Sequence, residues 1–259
     1  MLNLTRQESY KLVKKRSTLI FIIILVIQNL AFTVLSLKIA KFFPARFLFA
    51  GNFGTISTIQ LITIATAASI VSSEFDYQTL KSLIPRTSSR QVILISKWLT
   101  ILGYTLSLLL LTSLITLLAQ LFFFQDIFSL TDTIPELGIP IWQWWLTNIF
   151  GNFVNLWLLL SLVFLLAALF KKNSVAITVG IVVYFALPVV GTLMGLLIHK
   201  WSVLKWNPLN FLNYPLQLNS PELMAKITNL STTQLLIGNL GYTILFLSIG
   251  LFFFARKEA

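Results

Sequence analysis

Six stretches of this chain carry no charged residue, and each is long enough to cross a bilayer as a helix. They run over 17–37, 47–73, 98–125, 137–170, 173–199 and 227–255, and the shortest has 21 residues. Roughly 20 apolar helical residues span a hydrocarbon core. The strands of a transmembrane barrel would be short and would alternate in polarity, unlike these uniformly apolar runs. The pattern predicts an all-α polytopic membrane protein with six transmembrane helices.

Trimmed to their most apolar parts, the spans are expected near 17–37, 53–73, 98–124, 143–170, 174–199 and 233–255, within one membrane domain over 1–259. Only 10% of the residues are charged and 57% are hydrophobic, against a charged fraction of about 25% in soluble domains. The first run follows a charged leader, 1–16, and is too long for a signal-peptide core, so it is expected to be retained. That leader shows a rough amphipathic face, suited to an anionic lipid surface, and serves equally as a charged topogenic segment. The absence of cysteine excludes disulfides and thiol chemistry.

Lys and Arg between the spans fall into two alternating sets, thirteen on one side and six on the other. The larger set includes the leader, the 74–97 loop, Lys171 and Lys172, and the C-terminal end. Cytoplasmic loops carry the excess of positive charge, so both termini are expected in the cytoplasm. The +11 net charge is then a topological signal, and no nucleic-acid partner is expected. Trp142, Trp144, Trp145, Trp201 and Trp206 fall at the opposite interface, the depth that amphipathic rings favour. Residues 126–141 read as a loop, and 200–232 as an irregular outer segment, too polar and proline-interrupted to span.

The loop between the second and third spans has its own architecture. Glu74 and Asp76 stand where acidic groups favour a helix N-terminus. Leu80, Leu83 and Ile84 give an apolar face, Pro85 ends it, and Ser88 and Ser89 offer a cap for the helix that follows. A short amphipathic helix joined to spans at both ends can pass motion from a soluble partner to the membrane.

This stretch resembles the permease subunits of type 2 ATP-binding-cassette (ABC) exporters, whose second and third spans are joined by a glutamate-led coupling helix. Glu74, Thr79, Lys81, Ser89, Arg90 and Lys97 match that pattern, while Gln78 stands where the family usually has Gly. The basic N-terminal segment, six spans and irregular outer region are similar too, and the 206–213 run is similar to permeases of the bacteriocin and lantibiotic immunity branch. The resemblance implies that Glu74, Thr79, Lys81 and Arg90 couple the chain to a separate ABC ATPase subunit. Two ATPase copies would join this chain and a second permease copy, identical or related, in a bacterial plasma membrane. ATP would be bound by that partner: no G-x-x-x-x-G-K-[ST] loop occurs here, and no Gly precedes a Lys. No cofactor is expected in this chain.

Within the spans the notable groups are neutral. Gln28 and Asn29 sit mid-way along the first, and Gln60, Thr63, Thr66 and Ser69 recur every third residue along the second. Asn148, Asn152 and Asn155 share one face of the fourth. Gln28, Asn29 and the three fourth-span asparagines are candidates for a translocation path suited to amphipathic cargo. Interhelical hydrogen bonding is the competing reading, with each bond contributing about 0.6 kcal/mol. Pro188 predicts a kink in the fifth span, and Gly191 and Gly195 form a GxxxG that suits a gate, a dimer contact or intrachain packing.

An enzyme is not expected. His199 is the only histidine, which excludes a multi-histidine metal site, and beside Lys200 and Trp201 it reads as interfacial. Glu74 and Asp76 do not face each other on a helix, so no catalytic or metal-binding residues are assigned. The leading reading is a permease subunit exporting an amphipathic peptide, antimicrobial or other amphiphile. The alternatives are a membrane scaffold or sensor subunit without a path, and a stand-alone channel or secondary transporter. The last needs ionisable groups at depth, which the spans lack.

Overall fold

The computed structural model describes residues 2–76, 90–135, 137–169 and 173–256, and it is helical almost throughout. The helices are α1 (Leu2–Lys14), α2 (Arg16–Lys38), α3 (Ala45–Ala50), α4 (Thr55–Asp76), α5 (Arg90–Ala119), α6 (Ile141–Leu169), α7 (Asn173–Lys200), α8 (Pro208–Phe211), α9 (Tyr214–Asn219), α10 (Pro221–Thr228) and α11 (Thr232–Arg256). By length and apolarity α2, α4, α5, α6 and α11 can each cross a membrane. Helix α7 bends by 45° between Ile177–Ala186 and Val189–Lys200, and is a sixth span if both halves form one crossing. The predicted kink at Pro188 lies at that break.

Helix α6 runs through the middle, flanked by α11 on one side and α4 on another, with α7 laid against α4. Leu25, Ile59, Ile64, Ile101, Leu156, Leu160 and Phe164 form the main core between them. Several threonine hydroxyls inside the bundle are satisfied by their own helices. Thr63 Oγ1 donates to the Ile59 carbonyl at 2.6 Å, Thr66 to Ile62 at 2.7 Å and Thr243 to Asn239 at 2.8 Å. Such i−4 bonds remove the cost of an unpaired buried hydroxyl.

At one end of the bundle α1 packs on the start of α5, burying Leu12 and Glu8. Helix α5 begins at Arg90, where the sequence predicts the start of a helix that continues into the third span, and it carries Lys97, read from sequence as a loop residue, inside, 1% exposed. The reason lies in α1: Glu8 Oε2 stands 3.0 Å from Lys97 Nζ, and Glu8 Oε1 stands 2.7 Å from Lys11 Nζ. Burial pushes the Glu8 carboxyl upward, but Lys97 and Lys11 together outweigh it and hold its pKa below the ordinary 4.5.

The opposite end is built by loops. The apolar run that begins at residue 47 looks continuous in sequence but is broken by a 3₁₀ turn, Asn52–Gly54, with φ of 51°, 49° and 76° at its three residues. Left-handed backbone is costly for an ordinary L-residue such as Phe53, yet Phe53 is fully buried and stacks on Phe124 at 5.8 Å. Asn52 anchors the turn. Its Nδ2 donates to Ser113 Oγ at 3.1 Å and Thr112 Oγ1 at 3.4 Å, and its Oδ1 accepts from Trp145 Nε1 at 2.6 Å. Trp145, expected in an interfacial belt, is therefore a core residue, 8% exposed. The 126–141 loop also differs slightly, since Thr133–Ile134 pairs antiparallel with Ile139–Pro140 across Gly138.

The segment after α7 folds into a 3₁₀ turn, Ser202–Trp206, followed by α8, α9 and α10, packed against α6, α7 and α11. Its amides, which make it too polar to span, close its own backbone. Asn207 caps α8, accepting from the N–H groups of Leu209 (2.8 Å) and Asn210 (3.1 Å). Asn210 Nδ2 donates to the Thr228 carbonyl at 2.9 Å, and Gln217 Nε2 to the Leu230 carbonyl at 2.9 Å. Phe211 locks the segment down by lying so close to Gly238 of α11 that a Cβ there would collide with its ring.

Candidate functional site

Three neighbours enclose a cavity of about 960 Å³: the first turns of α6, the bent helix α7, and the α8–α10 segment, with Gln60 of α4 at its back. Asn148, Asn152 and Asn155 all line it, because their i, i+4, i+7 spacing places them on the face of α6 that α7 leaves open. Gly191 and Gly195 line the opposite wall from α7. The sequence-predicted asparagine face and GxxxG pair thus meet in one place.

The amides form a linked chain. Tyr184 OH donates to Gln60 Oε1 at 3.2 Å, and Gln60 Nε2 donates to Asn152 Oδ1 at 3.3 Å. Asn152 and Asn148 return their Nδ2 groups to the carbonyls of Asn148 (2.9 Å) and Trp144 (3.1 Å). Asn219 of α9 bridges from above, donating to Asn148 Oδ1 at 2.7 Å and accepting from Trp144 Nε1 at 2.6 Å. Asn155 Oδ1 accepts from Asn239 Nδ2 at 3.3 Å. Asn155 Nδ2 has no hydrogen-bond partner among the described residues.

Apolar side chains make up the rest of the lining, among them Leu159, Phe185, Leu196, Leu212 and Leu216. No Asp, Glu, Lys or Arg is among the described residues lining the cavity. Such a site can bind a molecule with an apolar body and a head that exchanges hydrogen bonds with neutral amides; His199, which the sequence places at the outer end of the fifth span, also lines it.

The other sequence candidates fall elsewhere. Gln28 and Asn29 do not reach the cavity. Gln28 Oε1 accepts from Thr58 Oγ1 at 2.7 Å and Asn29 Nδ2 donates to Thr116 Oγ1 at 3.0 Å, joining α2 to α4 and α5. There they act as interhelical ties. Gly195 contacts the chain itself: a Cβ there would lie 3.2 Å from Ile227 of α10, whereas one at Gly191 would meet nothing within 4 Å. Of the coupling residues, Thr79 and Lys81 lie outside the described residues, as does the predicted short helix ended by Pro85 beyond its opening Glu74 and Asp76. Glu74 lies in the last turn of α4 and Arg90 opens α5.

Gln60, Tyr184 and Asn219 are site residues that the sequence did not single out as such. Gln60 stood out as a polar residue in an apolar run, but its neighbours Thr63 and Thr66 looked equivalent until their hydroxyls were seen to bond their own helix. Tyr184 and Asn219 carry no local signal.

Residues 21–259 match a family described as "Protein of unknown function (DUF2705)". The chain is 28% identical over 207 residues to the "Uncharacterized membrane protein YdbK" of Bacillus subtilis (strain 168), a match covering 77% of each chain. It is 33% identical over 128 residues to the "Uncharacterized protein YhcI" of the same organism, covering 45% of this chain and 40% of that one. The helical bundle, its apolar spans and the amide-lined cavity all lie within the matched residues apart from α1 and the first turn of α2, and on that extent of match this membrane protein belongs to the DUF2705 family.

Proposed function

We propose that this chain is the transmembrane permease subunit of an ATP-driven ABC exporter in a bacterial plasma membrane, with the cavity between α6, α7 and the α8–α10 segment as part of the path for an amphiphilic cargo. The observation that carries the reading is this cavity: three asparagines aligned on one helix, facing a bent helix across a space whose described lining holds no Asp, Glu, Lys or Arg. Neutral hydrogen-bonding groups beside apolar walls suit an amphipathic peptide, antimicrobial or similar molecule better than an ion, which needs charged or carbonyl ligands at depth. The bend in α7 supplies an element whose angle can change, and Gly191 leaves open space at the bend.

Energy comes from a separate ATPase pair, because the chain has no phosphate-binding loop. The 74–91 loop, resembling the coupling helix of type 2 exporters, docks on that ATPase through Glu74, Thr79, Lys81 and Arg90. Two permease copies, with both termini cytoplasmic, complete the transporter.

The test is a mild-detergent pull-down of the tagged chain from its own cells, with mass spectrometry of the proteins retained. An ABC ATPase at near-equal stoichiometry is the expected outcome. Glu74→Ala and Arg90→Ala are expected to preserve folding while uncoupling ATPase activity from export. Absence of any ATPase from the pull-down, or full export by both variants, would remove the exporter assignment.

A further inference from the structure

We infer that the cavity selects an uncharged amphiphile, with a head bearing hydroxyl or amide groups, over cationic or anionic amphiphiles of the same tail. The inference rests on reading this cavity as the cargo site and narrows the class of molecule it takes.

Charge argues first. A cationic head entering the cavity leaves water and finds no carboxylate among the described lining residues, and an anionic head finds no Lys or Arg there, only the single imidazole of His199. The ions of the nearby segment, Lys200, Lys205, Glu222 and Lys226, are not part of the lining. Burying a charge without its counter-ion is among the most costly events in a protein interior. A neutral head avoids that cost.

Hydrogen bonding argues second. Asn155 Nδ2 is a donor without a partner, in a residue only 8% exposed. The Tyr184–Gln60–Asn152 links, at 3.2 and 3.3 Å, are longer than the usual 2.9–3.0 Å. They can be exchanged for bonds to a ligand at small cost. Hydroxyl and amide heads both donate and accept, matching a lining that offers both.

The position of the apolar surface argues third. Phe185, Leu196 and Leu216 line the cavity yet are 63%, 67% and 56% exposed, so the cavity opens sideways between apolar side chains. A tail can rest at that opening while its head reaches the asparagines.

The experiment is an equilibrium competition on the purified full-length chain in phosphatidylcholine nanodiscs at pH 8. Tritiated monoolein is displaced by unlabelled monoolein, oleylamine or oleate, which share a tail length and differ in head charge. Monoolein is expected to compete at least about tenfold better than either charged analogue. Asn155→Leu is expected to weaken monoolein about fivefold, the effect of one lost hydrogen bond. Asn152→Asp, nearly isosteric, is expected to shift the preference toward oleylamine. Competition by oleylamine or oleate equal to monoolein in the unaltered chain would overturn the inference by itself, whether or not either variant folds. So would an unchanged order of preference in folded Asn152→Asp. Because no ATPase is present, this result is independent of the pull-down: a failed exporter reading and a failed head-group preference register in different experiments.

Discussion

Asn52 is fully buried, has φ of 51°, and ties α5 and α6 to the turn that opens α4. Asn tolerates left-handed backbone better than most residues, and its amide can donate and accept at once. Asn52→Ala forfeits both, leaving the buried Trp145 N–H without its acceptor, and should cost about 2–4 kcal/mol. Asn52→Gly restores the backbone freedom but not the bonds, so thermal unfolding in detergent should rank the chain above Gly and Gly above Ala. Gly238→Ala tests the other anchor of this end. A methyl group there collides with the Phe211 ring, and overpacking of this kind costs about 1–3 kcal/mol. The measured effect should be a lower unfolding temperature and easier proteolysis within 202–231. At this scale, sequence reveals which residues are polar and not whom they meet. Gln28 and Asn29 look like Asn148 and Asn152 along the chain, and only their partners separate a tie between helices from a cavity wall.

Among the elements, α1 changes most between expectation and structure. It packs on α5 through Leu12 and Glu8 while Tyr10 and Val13 stay exposed, and Glu8 meets Lys97 across 89 residues of sequence. Removing the carboxylate takes one ionic partner from the buried Lys97 ammonium, so Glu8→Ala should destabilise by about 2 kcal/mol. The pH dependence follows from the lowered Glu8 pKa. Its stabilising contribution is present above the ordinary carboxylate value of 4.5 and is lost as pH falls through the lower folded value. Unfolding followed from pH 7 down to pH 3 should show this loss, and Glu8→Gln should flatten it. Helix α7 offers the second prediction at this scale. Pro188→Ala restores a backbone N–H and removes the ring that opens the helix, so the 45° bend should decrease. Spin labels at Val182 and Leu196 would report it as a longer mean separation. The kink was legible because proline acts locally; the ion pair was not, because no local pattern links residue 8 to residue 97.

For the molecule as a whole, the distribution of Lys and Arg predicts both termini on the cytoplasmic side, and the absence of cysteine makes that easy to test. Single cysteines at Tyr10 and Val203, 65% and 82% exposed, should be labelled from opposite sides of intact cells by an impermeant maleimide. Tyr10 should react only after permeabilisation. Labelling of both from outside would reverse or abolish the assignment.

The apolar runs alone determine that this chain is a helical membrane protein and roughly where each helix lies, because the bilayer imposes length and hydropathy on every segment independently. Spacing along α6 determines that three asparagines share a face. What that face becomes is decided by tertiary structure. The left-handed turn at Asn52–Gly54, the bend of α7 and the docking of α8–α10 set which helix faces close and which stay apart. The same amide can then be a tie, a cap or a cavity wall, because hydrogen-bond partners inside a bundle are chosen by packing across the whole chain rather than by neighbours in sequence.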